Sequence, residues 1–128
     1  MEKYYEEPTR ITPEIKFDPE LGILDFKGRS SPENAVQFYS RVIYLLDDYA
    51  MSEAASLIAN FNFDYFNTSS SKCLFDVFRR LDKVERMGKE LVINWYYEED
   101  DEDMLEAGED YCDLLGLDFN FIELEEEW

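Results

Sequence analysis

The period of the apolar residues changes abruptly across Phe66-Asn67-Thr68-Ser69-Ser70-Ser71-Lys72. Upstream, Leu57, Ile58, Phe61, Phe63, Tyr65 and Phe66 form a β-forming run. Downstream, Cys73, Leu74, Val77, Phe78, Leu81 and Val84 recur at three- and four-residue spacing, which predicts an amphipathic helix over 68–87. A strand that feeds a helix this directly is half of a βαβ unit, so the junction points to the α/β class. One amide and four hydroxyls stand where the helix must begin. A helix start presents unpaired N–H groups and a partial positive charge. It is a seat for a covalently attached phosphate. It is equally a place for a capping side chain, whose hydrogen bond contributes about 1 kcal/mol.

The flanking segments extend the α/β pattern. Residues 1–13, with Pro8 and Pro13, read as irregular. Glu14–Asp18 alternates as a strand, Pro19–Gly22 is a turn, and Ile23–Lys27 returns as a second strand ended by Gly28, making a hairpin. Ser30-Ser31-Pro32-Glu33 has capping-box spacing and predicts a helix start. The helix after it would bury Ala35, Phe38, Tyr39, Val42, Ile43 and Leu46. Leu91–Tyr97 is dense in β-formers and reads as a central strand. Asp100–Leu115 reads as a helix with Met104, Leu105, Tyr111, Cys112 and Leu115 inward, and Asp118–Leu124 as a last strand. The order ββαβαβαβ predicts one α/β domain spanning residues 1–128, a mixed sheet with helices packed against it and parallel pairing among the later strands.

Charge narrows the function. The net charge is −19, which argues against binding the phosphate backbone of DNA or RNA. From Glu90 to Trp128 there are 16 acidic residues and no lysine or arginine, while 6 of the 12 basic residues fall between Lys72 and Lys89. Lys72, Arg79, Lys83 and Arg86 share one helical face. That stripe reads either as a solvated face or as a docking face for an acidic partner or an added phosphate. Thr68 and Lys72 are one helical turn apart.

Most catalytic chemistries lack their residues. There is no histidine, so no histidine base, triad or histidine metal site. No P-loop or dinucleotide fingerprint occurs. The run Glu98–Asp103 could attract a divalent ion but lacks the glycine and spacing of an EF-hand loop; it reads equally as a solvated start of a helix. No apolar stretch of about 18 residues could cross a membrane, and the N-terminus lacks signal-peptide features, so a cytoplasmic location is expected. Cys73 and Cys112 are expected as buried thiols.

The motifs together resemble the SiaC-type regulatory phosphoproteins, small bacterial proteins with a fold like the STAS domain of anti-sigma-factor antagonists. The resemblance covers essentially the whole chain. It rests on Thr12-Pro13-Glu14-Ile15, on Gly28-Arg29-Ser30-Ser31-Pro32-Glu33-Asn34, on Tyr65-Phe66-Asn67-Thr68-Ser69-Ser70-Ser71-Lys72, and on Val92-Ile93-Asn94-Trp95-Tyr96-Tyr97 with the acidic helix beyond. It implies a non-enzymatic switch without cofactor or bound metal, phosphorylated at Thr68 by a cognate protein kinase and dephosphorylated by a PP2C-like phosphatase. The unphosphorylated form would bind and activate a diguanylate cyclase or another effector, raising cyclic di-GMP and favouring biofilm. Asn67, Ser69, Ser70, Lys72, Arg79 and Lys83 are then the candidate partner or phosphate surface.

Two other classes remain open at this point. One is an acidic inhibitor or mimic acting through the 90–128 surface, whose binding would depend steeply on salt and ignore Thr68. The other is a carboxylate enzyme using a divalent ion.

Overall fold

A computed structural model describes residues 1–125; the last three residues of the acidic 90–128 segment lie outside the described part. Six strands form one sheet in the order of the chain: β1 (Tyr4–Glu6), β2 (Glu14–Asp18), β3 (Ile23–Ser30), β4 (Ser56–Phe66), β5 (Glu90–Glu98) and β6 (Phe119–Leu124). The first three pair antiparallel, and β3 to β6 pair parallel. The helices α1 (Ala35–Ala50), α2 (Thr68–Arg86) and α3 (Glu102–Leu115) are the parallel crossovers. All three crossovers step the same way across the sheet. Right-handed connections therefore place every helix on one face and leave the other without a helix.

Side-chain burial follows that layering. Ile15, Phe17, Leu24, Phe26, Leu57, Ala59, Phe61, Ile93 and Trp95 point under the helices and are buried. Leu74, Val77, Phe78, Leu81 and Val84 of α2 are all 0% exposed, as their spacing predicts. Aromatic rings link the layers: Phe61 lies 5.0 Å from Phe26 and 4.6 Å from Phe78, and Phe78 lies 4.8 Å from Tyr111. Trp95 donates its indole N–H to the Met104 carbonyl at 2.9 Å. Gly108 lets α3 close on that indole, since a Cβ there would stand 2.6 Å from the ring.

Several details differ from the sequence reading. Residues 4–6 are not irregular: Tyr4, Tyr5 and Glu6 pair with Phe17, Lys16 and Ile15, so the order is βββαβαβαβ. Three residues carry too little pattern to signal a strand, and the sheet edge supplies the pairing. Strand β3 does not stop at Gly28. Gly28, at φ +113°, carries the chain through a register shift, and pairing resumes at Arg29↔Tyr65 and Ser30↔Phe66. Ser30 is therefore not a helix cap. It is the buried end of a strand, and Asn34 caps α1 by accepting from the Gln37 amide at 3.1 Å.

Burial also departs from expectation in the outer helices. In α1, Leu45, Tyr49 and Ala50 join the core, while Phe38 and Ile43 are only half-buried. In α3, Leu105, Cys112 and Leu115 are half-buried and Gly108 is the buried position that the pattern does not show. Both cysteines are free; Cys73 is buried, Cys112 only half so. No helix among the described residues is long and apolar enough to cross a membrane.

Candidate functional site at the start of helix α2

The helix start is built by Asn67, not by the hydroxyls. Asn67 has extended backbone, and its side-chain oxygen accepts from the Ser70 amide at 2.8 Å. Its backbone carbonyl accepts from the Ser71 amide at 2.9 Å, and its own amide donates to the Ser30 carbonyl at 3.0 Å. Thr68 and Ser69 are the first two helical residues, and both are exposed. No partner for their amides is seen among the described residues. Two free donors at the positive end of the helix dipole thus lie beside an exposed threonine hydroxyl.

The following two hydroxyls point inward. Ser70 is 0% exposed and cannot present itself to a partner, which corrects its place in the predicted surface. Its hydroxyl donates to the Ser30 carbonyl at 3.0 Å and accepts from the Ser30 hydroxyl at 2.8 Å. Ser30 in turn shares a 2.6 Å bond with the Tyr39 hydroxyl on α1. Ser71 is half-buried and bonds Tyr111 on α3: the tyrosine hydroxyl donates to the Ser71 carbonyl at 2.8 Å and lies 2.9 Å from its hydroxyl. Burial pushes the Tyr111 phenol up to about 12, and the same cause raises that of Tyr39 further. Both rings therefore stay neutral at any physiological pH and hold the helix start as hydrogen-bonding groups.

This clamp contains the residues that sequence reasoning missed. Ser30, Tyr39 and Tyr111 fix the helix start from three different elements. The only sequence signal was two tyrosines, Tyr39 and Tyr111, among otherwise apolar inward positions, since Ser30 read as a cap.

The basic stripe divides. Lys72 is exposed one turn beyond Thr68, and Arg79 is exposed further along. Lys83 reaches Asp47 on α1 at 3.8 Å, beside Arg80 at 3.2 Å, and Arg86 pairs with Asp82 at 2.9 Å. At 1.5 Å per residue, Arg79 lies about 16 Å and Lys83 about 22 Å along the axis from Thr68. Of these stripe residues, Lys72 alone stands one helical turn from Thr68. Arg79 and Lys83 belong to a separate stretch of helix surface, partly occupied by the α1–α2 ion pairs.

The acidic segment is used locally. Asp101 caps α3 by accepting from the Met104 amide at 3.0 Å, with Glu102 and Asp103 in the first turn. Among the described residues no group of three histidine, cysteine or carboxylate side chains converges as a metal site.

Comparison with known proteins places this geometry. The family model described as "SiaC family regulatory phosphoprotein" matches residues 6–124. An uncharacterized protein of Pseudomonas aeruginosa strain UCBPP-PA14 is 28% identical over 111 residues, covering 87% of this chain and 88% of the relative. The structure of apo-SiaC from Pseudomonas aeruginosa superposes with a TM-score of 0.84 at 26% identity, covering 98% of this chain and 100% of that one. The structure of the diguanylate cyclase SiaD in complex with its activator SiaC, also from Pseudomonas aeruginosa, gives a TM-score of 0.88 at 25% identity, covering 94% and 99%. With the strand order, the exposed threonine at the start of α2 and a family match across nearly the whole described chain, this protein belongs to the SiaC family of regulatory phosphoproteins.

Proposed function

We propose that this chain is a non-enzymatic switch whose unphosphorylated form binds and activates a diguanylate cyclase, and whose phosphorylation at Thr68 ends that interaction. The observation that carries the reading is the contrast between exposed Thr68 and Ser69 and fully buried Ser70 in one short hydroxyl run. The SiaC of the complex structure is the activator of its cyclase, and the shared family and fold support the same role for this chain.

A cognate kinase transfers the γ-phosphoryl group of ATP to the Thr68 Oγ1, releasing ADP and a proton. A PP2C-like phosphatase hydrolyses the ester, returning the hydroxyl and inorganic phosphate. Magnitudes decide what the modification does. A phosphate adds about −1.5 to −2 charges. At a helix N-terminus it gains about 0.3–1 kcal/mol from the dipole. Domain stability is on the order of 5–15 kcal/mol, so the fold persists. Burying an unpaired charge against a partner costs about 3–5 kcal/mol, or roughly two to four decades of affinity. The effect therefore falls on the interface.

The test is incubation with the cognate kinase and ATP, followed by mass spectrometry and measurement of cyclase activity. Phosphate is expected on Thr68 alone. Thr68→Ala should activate the cyclase constitutively and Thr68→Asp should activate it less. Phosphate confined to Ser69, or cyclase binding that is indifferent to Thr68 and falls steeply with salt, would move the function to another site or to the acidic 90–125 surface.

A further inference from the structure

The face of the sheet that carries no helix has an unusual composition for this chain. Asp25, Asn60, Asn94 and Asn120 stand in register across four parallel strands. They form a continuous amide ladder. The Asn60 amide donates to Asp25 at 2.7 Å, Asn94 to Asn60 at 2.8 Å, and Asn120 to Asn94 at 3.1 Å. Asparagine is disfavoured in strands, so three in one row is a specific use of the residue. Apolar side chains flank the row. Ile58 and Val92, 40% and 38% exposed, lie on one side, and the adjacent pair Tyr96 and Ile122 on the other.

Charge is the deciding observation. Between Ile58 and Asn62, Val92 and Tyr96, and Asn120 and Ile122, the open face of β4 to β6 carries no charged side chain. On β2 and β3 the outward charges cancel: Glu14, Asp18 and Asp25 against Lys16, Lys27 and Arg29. The centre of the open face is thus free of net charge on a chain of net charge −19, with Glu90 and Glu98 of β5 exposed at its two ends. A charge-depleted centre with apolar and aromatic members is the compositional mark of an interface core.

The geometry points to a second copy of this chain as the occupant, paired sheet against sheet. Three properties select it. Asparagine amides both donate and accept, so the ladder is self-complementary under a two-fold axis. A centre free of net charge lets two such acidic chains meet with their nearest like charges, Glu90 and Glu98, at the rim of the contact. Face-to-face sheets stand about 10 Å apart with the helices outermost, so the helical layers lie about 30 Å from each other, roughly four Debye lengths at physiological salt. Five strands and about five residues along each give roughly 400 Å² of projected sheet, the size of a small, reversible interface.

The test is sedimentation velocity on the full chain from about 10 μM to about 1 mM protein and from about 0.05 to about 0.5 M salt. The mass should rise from 15.3 kDa toward twice that value with concentration. Added salt should strengthen the association, because it screens the repulsion between two acidic chains, and the charge-free centre on β4 to β6 holds no ion pair for it to break. The Ile58→Lys/Val92→Lys variant should keep its circular dichroism and stay monomeric. A wild-type chain that remains monomeric in high salt overturns the proposal, as does a dimer weakened by salt or one that survives the double substitution. So does a monomer whose cyclase binding is lost in that variant, which would give the face to the effector. These outcomes do not depend on Thr68 phosphorylation.

Discussion

The Ser70 hydroxyl, in the first turn of α2, lies 2.8 Å from the Ser30 hydroxyl at the end of β3, with 40 residues of chain between them. Both residues are 0% exposed. Two neighbouring parallel strands are thereby fastened at the point where one turns into α2, and the exposed pair Thr68–Ser69 is held one residue upstream on a fixed base. Under the proposed function, an acceptor held this way would meet a kinase and an effector in one conformation, which limits the ordering entropy that each encounter costs.

Ser70→Ala should destabilise the domain without touching the surface. It leaves the Ser30 hydroxyl without its acceptor inside the protein, at a cost of about 1–3 kcal/mol. Urea unfolding should show a lower midpoint at an unchanged slope, and phosphorylation of Thr68 should still occur in the folded variant. A midpoint equal to that of the wild type would remove the clamp from the account of this site.

Gly108→Ala tests how α3 is seated. The added methyl meets backbone-anchored indole atoms at 2.6 Å, and Trp95 is itself 0% exposed and bonded to Met104. Helix propensity alone favours alanine by about 1 kcal/mol. Overpacking of this kind costs about 1–3 kcal/mol, so the net effect should be destabilising. A red-shifted or quenched tryptophan emission should accompany a lower melting temperature. A variant more stable than wild type would mean that α3 slides freely over the indole.

The basic stripe predicts a separation between neighbours. Lys72→Glu should reduce the difference between phosphorylated and unphosphorylated forms in effector binding, since Lys72 alone is one turn from Thr68. Arg79→Glu should weaken binding equally in both forms. Lys83→Glu should act mainly on stability, through its exposed pair with Asp47, by no more than about 1 kcal/mol. Binding titrations with all three variants distinguish these roles. Identical effects of Lys72→Glu and Arg79→Glu would return the stripe to a single undivided surface.

The α/β order and the inner face of α2 were legible because period carries them: Leu74, Val77, Phe78, Leu81 and Val84 announce their burial by spacing. The exposed Thr68 was legible through the resemblance of its motif. What the sequence concealed are contacts between distant segments. Ser30 looked like a cap because its neighbours have cap spacing, and only the pairing Ser30↔Phe66 draws it into the interior. The inward turn of Ser70 depends on that same partner. Asn60, Asn94 and Asn120 are unremarkable singly, and their meaning comes from a register that no local pattern specifies.

Alkaline titration should report on the clamp at the other side of the helix start. Tyr111 is 6% exposed and its hydroxyl is held by Ser71. Its pKa rises from 10.0 to about 12, chiefly through burial, with the Ser71 hydrogen bond opposing the shift. The folded state therefore favours the neutral phenol more than the unfolded chain does. That contribution is complete below the unfolded value of 10.0 and is lost as pH rises through about 12. Urea midpoints should be level between about pH 7 and about pH 9 and then fall toward pH 12, as protons leave the unfolded chain first. Tyr111→Phe removes the titrating group and its bond to Ser71. It should lower stability at neutral pH by about 1 kcal/mol and make the alkaline decline shallower. Tyr39, shifted in the same direction by the same cause, accounts for a further part of the decline. An alkaline slope identical in wild type and Tyr111→Phe would show that this phenol ionises as easily folded as unfolded, and that Ser71 does not hold it.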